Sequence, residues 1–312
     1  MQLRSMMLES MRGILFDNVS SVANTSWILP VGIFHRTHRR TGMQFCPGCL
    51  SDDFIPYYRL HWRLAFYVVC PVHRCHMLAT CPICYSPITY HRHGIGRDRL
   101  VDDDALVRCS ECRFDLRQAT QTSFKGIDHE SEQMTMNIIA AGTGLYAEGC
   151  SDFFSKNLLL FKGLHTLLNL MHGRHAPRIV KPLMEITGMC EEIVYSYSRT
   201  EFTHRDIDVR RHLFNMLSWL LVDWPERFVR VCDAGSMSRS RISDNVGALP
   251  YWLATVIDTY LDKRSYVPSA REVGDARAYL LSRGEKVTAK AIARTLGVAT
   301  SMGWMLRNLD AQ

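Results

Sequence analysis

Cys46-Pro47-Gly48-Cys49, Cys70-Pro71-Val72-His73, Cys81-Pro82-Ile83-Cys84 and Cys109-Ser110-Glu111-Cys112 fall within one 67-residue stretch, and they decide how the chain is read. A C-x-x-C or C-x-x-H turn brings two soft donors to adjacent corners of a tetrahedron, and two such turns close the site to water. Eight ligands in four pairs therefore predict two structural zinc ions. Sequential pairing gives one ion to Cys46, Cys49, Cys70 and His73, and the other to Cys81, Cys84, Cys109 and Cys112. The gaps within these pairs, 20 and 24 residues, leave room for a hairpin between knuckles. A cross-braced arrangement, first knuckle with third and second with fourth, is also compatible with the spacing. Cys75 and His76 lie close enough to compete with His73, which is favoured because it alone repeats the two-residue spacing of the other knuckles.

Other uses of cysteine fit less well. Disulfides need an oxidising compartment, and the first thirty residues carry no basic-then-apolar run with a cleavage site. A thioredoxin-type C-x-x-C comes once, beside a βαβ pattern, and not with three partners. Cys150, Cys190 and Cys232 stand in apolar or helical contexts and read as buried free thiols.

Outward from the knuckles, the chain of 312 residues is long enough for two or three domains. It is 47% hydrophobic and 22% charged, the balance of an ordinary globular chain. The formal charge of +6 falls to +3 once seven thiolates and two divalent ions are counted. Mild basicity of this size permits a nucleic-acid partner without requiring one. No run reaches eighteen apolar residues, so no membrane span is expected. The fold expected is mainly α, with a small zinc-stabilised α+β region holding two sequential zinc-finger sites, then a multi-helix domain ending in a helix-turn-helix.

Four segments are expected. Residues 1–44 are mixed and end near Arg36, Arg39 and Arg40, a basic patch able to meet phosphate or water. Residues 45–128 hold the double zinc-finger domain, in which 62–69 has an aromatic, β-branched, strand-like composition. Asp102-Asp103-Asp104 reads as a solvated turn, because no partner carboxylates stand at a metal-site spacing. Residues 129–245 are helical, with Leu158, Phe161, Leu164, Leu168 and Met171 on one stripe. Pro225 suits the first turn of a new helix capped from around Asp223.

Residues 246–312 form the last segment. Ser269 and Glu272 make a capping box, and Gly284 ends the helix it opens. Thr288 caps a second helix over 289–296, Gly297 turns the chain, and a third helix is expected over 300–309. Ile292, Leu296 and Val298 would pack against that helix, leaving Thr300, Ser301, Trp304 and Arg307 outward. With Arg294, these are the expected DNA contacts.

Several stretches together resemble the TniQ/TnsD family of transposition target-selection proteins. They are Phe45 through Leu50, Asp53, Pro56-Tyr57-Tyr58-Arg59, Trp62-Arg63-Leu64 and the four knuckles, the fourth followed by Asp115-Leu116-Arg117. Asp223-Trp224-Pro225, Leu249-Pro250-Tyr251-Trp252 and Tyr266-Val267-Pro268-Ser269 extend the likeness. The resemblance implies a non-catalytic adaptor in Tn7-like transposition, working in the cytoplasm at the nucleoid. Such proteins bind a DNA target or sit on a CRISPR guide-RNA effector complex, and recruit an AAA+ ATPase of the TnsC kind. A homodimer is compatible with this role. The family's Glu-Ser…Ser-Trp-Leu pattern is expected to fall before Met1, leaving the N-terminal segment short.

Two other classes compete. A metal-dependent nuclease needs clustered carboxylates, and Asp206 with Asp208 is the nearest arrangement. A zinc-finger and helix-turn-helix transcription regulator would need neither ATPase nor transposase. No Gly-x-x-x-x-Gly-Lys-Ser/Thr loop occurs in the sequence, so P-loop use of ATP is excluded.

Overall fold

A computed structural model describes residues 7–17, 25–29, 43–89, 105–144, 158–189, 201–243, 249–262, 266 and 268–298. The chain divides into two compact units, one of Met1–Met237 with Asn245–Leu261 and one of Ser238–Asp244 with Asp262–Gln312. The boundaries expected near 44 and 128 thus fall inside one unit. The physical reason is a shared core: Trp27 packs edge-on against Phe66, Phe161, His165 and Phe202, with ring centroids 5.5–5.9 Å apart.

The first unit is mostly helical, as expected. Helix α1 is Pro47–Asp52; β1 (Val69–Cys70) and β2 (Cys75–His76) form a two-stranded antiparallel ribbon. Then come α2 (His129–Thr143), α3 (Leu158–His172), α4 (Pro177–Thr187), α5 (Ile207–Leu221) and α6 (Glu226–Ala234). In the second unit lies α7 (Arg239–Ile242), in the first α8 (Tyr251–Tyr260), and in the second α9 (Ala270–Ser282) and α10 (Ala289–Thr295).

Helix α5 is central to the first unit and packs on α2, α3 and α6. Its Leu213, Phe214, Met216, Leu217, Leu220 and Leu221 are all buried, which is why its sequence is apolar on nearly every side. The stripe expected on α3 is buried at Phe161, Leu164, Leu168 and Met171. Helix α2 starts with a reciprocal cap, Ser131 N–H donating to Asp128 Oδ1 at 2.7 Å and Asp128 N–H to Ser131 Oγ at 3.0 Å. Arg227 bridges from α6 to Asp128 and Glu130, at 2.9 and 2.8 Å.

Two local expectations need correction. Residues 62–69 do not form one strand. Residues 60–63 make a 3-10 turn, residues 64–70 are all buried, and only Val69 and Cys70 pair as strand. Burial on both sides removes the alternation a half-exposed strand needs, and side chains take over its hydrogen bonding. Gln44 Nε2 donates to the carbonyls of Leu64 (2.9 Å) and Tyr67 (2.8 Å). Arg210 Nη1, on α5 and 1% exposed, donates to Ala65 O at 2.7 Å. Helix α6 does begin after Pro225, but its cap is a backbone carbonyl: Glu226 N–H donates to Asp223 O at 2.7 Å. The Asp223 carboxylate goes instead to Arg227, 3.3 Å away.

In the second unit the expected capping box is present, with Ser269 N–H donating to Glu272 Oε2 at 2.7 Å and Tyr266 O–H to Glu272 Oε1 at 2.7 Å. Thr288 Oγ1 accepts from Ala291 N–H at 3.1 Å, capping α10. Gly284 and Gly297 are left-handed at φ 71° and 69°, as their turns require. Val273, Ala276, Leu280, Ile292 and Ala293 form the small core, with Leu296 and Val298 against it. The third helix expected over 300–309 lies outside the described residues, and with it Thr300, Ser301, Trp304 and Arg307. Of the helix-turn-helix expected here, only the first two helices fall within the described residues.

Candidate metal centres

Cys46 opens the first site as the N-cap of α1, its sulfur accepting from Cys49 N–H at 3.5 Å, with Pro47 at the first helical position. That cap places Cys46 and Cys49 on one side of the first turn. The β1–β2 ribbon carries Cys70 and His73 toward them. A mutual backbone pair between Phe45 and Leu78, at 2.7 and 2.9 Å, fixes the approach.

The other three knuckles close in another way. Arg74, Tyr85 and Arg113, each directly after a knuckle, are left-handed at φ 51°, 57° and 65°. Their N–H groups donate back to Cys70 O, Cys81 O and Cys109 O at 2.9, 2.9 and 3.0 Å. One left-handed residue lets the chain double back over both ligands.

Two groups of four result: Cys46, Cys49, Cys70 and His73, and Cys81, Cys84, Cys109 and Cys112. The donor atoms of each lie within 4.8 Å of one another. The pairing is sequential, and the cross-braced alternative is not what the fold brings together. In the first group His73 Nδ1 stands 3.6, 3.4 and 3.6 Å from the sulfurs of Cys46, Cys49 and Cys70, and Cys49 and Cys70 are 3.6 Å apart. In the second, Cys81–Cys112 and Cys84–Cys109 are each 3.6 Å apart. A tetrahedron with bonds of about 2.3 Å has edges of roughly 3.8 Å, so the donors fit a bound ion. A disulfide needs about 2.05 Å, and these cysteines are free.

Electrostatics agrees. Hydrogen bonds from Cys49, Cys70 and Cys75 hold the Cys46 thiol far below its ordinary value, while pairing with Cys46 and burial push Cys49 and Cys75 far above theirs. In the second group burial pushes Cys109 up to about 12. Burial opposes ionisation of Cys84 too, but hydrogen bonds with Ser86, Cys112 and Cys109 together bring the thiol to about 6. Each group alone sustains few thiolates; a divalent cation lets the rest ionise.

The surroundings contain residues that spacing did not reveal. His73 Nε2 meets Asp52 Oδ2 at 2.8 Å, the carboxylate–imidazole pairing that fixes the tautomer of a metal-bound histidine. Asp53 pairs with Arg59 at 2.9 Å, and Arg59 lies over the rings of Tyr57 and Trp62, 4.8 and 5.1 Å from their centroids. Asp115 caps the turn Leu116–Gln118 and pairs with Arg117 at 2.7 Å. That turn packs on α1. The only sequence signal for Asp52 is its position one turn of helix after the first knuckle.

Gly48 is required by the approach of His73, since a Cβ there would stand 2.5 Å from the ring's Cδ2. Gly48→Ala is expected to displace His73 and lower metal affinity at the first site about 10- to 100-fold, with the second site unchanged. Competition with a chromogenic chelator measures it, and equal affinities would show that the ring has room to move.

The remaining candidates separate. Arg294 is exposed, with Nη2 3.4 Å from Glu285. Arg36, Arg39, Arg40, Asp102, Asp103, Asp104, Cys150 and Cys190 lie outside the described residues. Cys232 is fully buried, as expected. Asp206 and Asp208 are exposed, and Asp208 is taken up by Arg211 at 2.6 Å. Among the described residues no helix is long and apolar enough to cross a membrane.

Residues 1–77, about a quarter of the chain, match the TniQ family model, which supports a TniQ/TnsD-family protein. The matched stretch takes in the N-terminal segment as well as the first metal group. Glu9-Ser10 and Ser26-Trp27 stand inside it, and Trp27 is the ring at the centre of the core. It ends beyond the first metal group and before the second. No curated protein and no solved structure matches the chain.

Proposed function

We propose, on the premise of the TniQ match over residues 1–77, that this protein is a target-selection adaptor in DNA transposition, joining a DNA or guide-RNA-bound target to an AAA+ ATPase of the TnsC kind. The match to a transposition family is the observation that carries the reading. Two structural zinc ions hold the adaptor's first unit together. A closed set of three cysteines with one histidine, and a closed set of four cysteines, suit that ion and leave no position for catalysis. The second unit supplies nucleic-acid contact. It holds eleven Lys and Arg against six Asp and Glu, so five of the chain's six net positive charges fall in it. Arg294 and Arg307 there, with Arg36, Arg39 and Arg40 in the first unit, meet phosphate, while Thr300, Ser301 and Trp304 face the bases.

An adaptor works by raising the local concentration of its partner at one site, worth about two to four orders of magnitude without new chemistry. The purified protein is therefore expected to be inert with ATP, and inert with DNA and magnesium, while capturing the ATPase. Arg294→Ala and Arg307→Ala should each lower the salt slope of DNA binding by about one. Strand cleavage that survives repurification would favour a nuclease. DNA binding with no ATPase capture would favour a transcription regulator.

A further inference from the structure

We propose that Cys75 is a reserve ligand of the first metal site. When the imidazole of His73 leaves, the Cys75 sulfur takes its corner, and the ion passes from three sulfurs and a nitrogen to four sulfurs. The inference rests on that site holding zinc.

Cys75 Sγ stands 3.6 Å from Cys46 Sγ, the same separation as between the ligands themselves. The thiol is there by construction. Cys70 and Cys75 are directly paired across the β1–β2 ribbon, and residues opposed in an antiparallel pair present their side chains on one face. A bridge from Cys75 to Ser123, and hydrogen bonds from His76 N–H to Thr122 O (2.9 Å) and from Phe124 N–H to Arg74 O (2.8 Å), hold that strand in place. The side chain is buried, 2% exposed. It is not a fifth simultaneous ligand, since it lies outside the group of mutually close donors and zinc in structural sites takes four.

His73 is the ligand that something outside the site can reach. Its side chain is 17% exposed, and its Asp52 partner 69%. Cys46, Cys49 and Cys70 are buried. A group that engages Asp52 or the imidazole would pull that corner open. In the exchange the metal–nitrogen bond breaks, a metal–sulfur bond forms, and the thiol's proton passes to solvent. The formal charge of the site falls from −1 to −2. Arg211, within electrostatic reach of Cys75, faces that added charge. The ion stays in place while the segment between β1 and β2 is freed.

The test uses the full-length protein loaded with zinc or with cobalt(II). Wild type should hold two ions. His73→Ala should also hold two, with thiolate-to-cobalt charge transfer growing from seven sulfurs toward eight. His73→Ala with Cys75→Ala should hold one. Cys75→Ala alone should hold two but release zinc from the first site to a chelator roughly tenfold faster, the low end of what a partner behind a ligand is worth. Loss of the first-site ion from His73→Ala with the chain still folded by circular dichroism would overturn the proposal. So would equal metal content in His73→Ala and the double variant, or an unchanged release rate in Cys75→Ala. That release rate decides the matter even if His73→Ala fails to fold. Fewer than two ions in wild type would instead defeat the zinc reading beneath it.

Discussion

Stripping metal from the full-length protein is expected to unfold much of the first unit. Metal analysis should find two zinc ions per chain, and chelation should abolish the near-ultraviolet signal of the Trp27 and Phe66 core as the ions leave. Structural zinc in small sites contributes about 10–16 kcal/mol of apparent binding energy, against a total folding stability of roughly 5–15 kcal/mol. Without a cation the first group must also bury three cysteine sulfurs and an imidazole in contact with one another. The two sites should part in order. Cys112 is exposed and Cys84 half-buried, so the second ion should leave first; the first, whose cysteines are all buried, should leave with the core. Cys109→Ser and Cys49→Ser should each cost one ion, the second with the greater loss of structure. A chain that stays folded with no metal would defeat this.

Arg210 should be the costliest single residue outside the knuckles. Its guanidinium is buried and donates to Ala65 O at 2.7 Å and Arg205 O at 3.0 Å, with Gln44 Oε1 3.4 Å away. Burial lowers its pKa, against the pull of Asp206 and Asp208. Arg210→Met keeps much of the apolar volume, removes the buried charge and leaves these acceptors without donors, at about 1–3 kcal/mol each. A net loss of about 3 kcal/mol is expected by urea unfolding, and more for Arg210→Ala, which adds a cavity. Gln44 lies two residues before Cys46, so both variants should also weaken metal retention at the first site. A midpoint change worth less than about 1 kcal/mol in Arg210→Met would mean that the carbonyls find other donors.

The metal groups were legible because ligand chemistry is local: a C-x-x-C turn announces itself whatever surrounds it. The caps at Ser269, Thr288 and Asp223 to Pro225 were legible to differing degrees for the same reason. Side chain and partner at Ser269 stand three residues apart, whereas around Asp223 the residues indicate a cap but not that a backbone carbonyl supplies it. Arg210 gave no signal. A basic residue beside Arg211 on a predicted helix reads as solvated surface, and nothing local reveals that 64–67 will be buried with carbonyls that take side-chain donors from Gln44 and Arg210. The same long-range packing joins residues on both sides of 44 and 128, where Trp27, Phe66 and Phe161 meet from three separate segments. Asp52 and the left-handed Arg74, Tyr85 and Arg113 were hidden differently. Their roles depend on backbone geometry that composition does not encode.

The order of the chain and the membership of its units do not coincide, and this limits where the gene can be cut. The first unit is interrupted at Met237 and resumes at Asn245, with α8 inside the resumed stretch. Trp252 on α8 donates its indole N–H to Leu159 O at 3.1 Å, stands edge-on to Trp224 and covers Gly163, where a Cβ would strike its ring. A stop codon after residue 237 would therefore encode the first unit with a hole in its wall, exposing α3 and Trp224. A stop after Leu261 would leave that wall intact and carry along only seven residues of the second unit, those that include α7. Deletion mapping that assigned partner binding to residues beyond 237 would be confounded by this, because it would remove a piece of one unit together with most of the other.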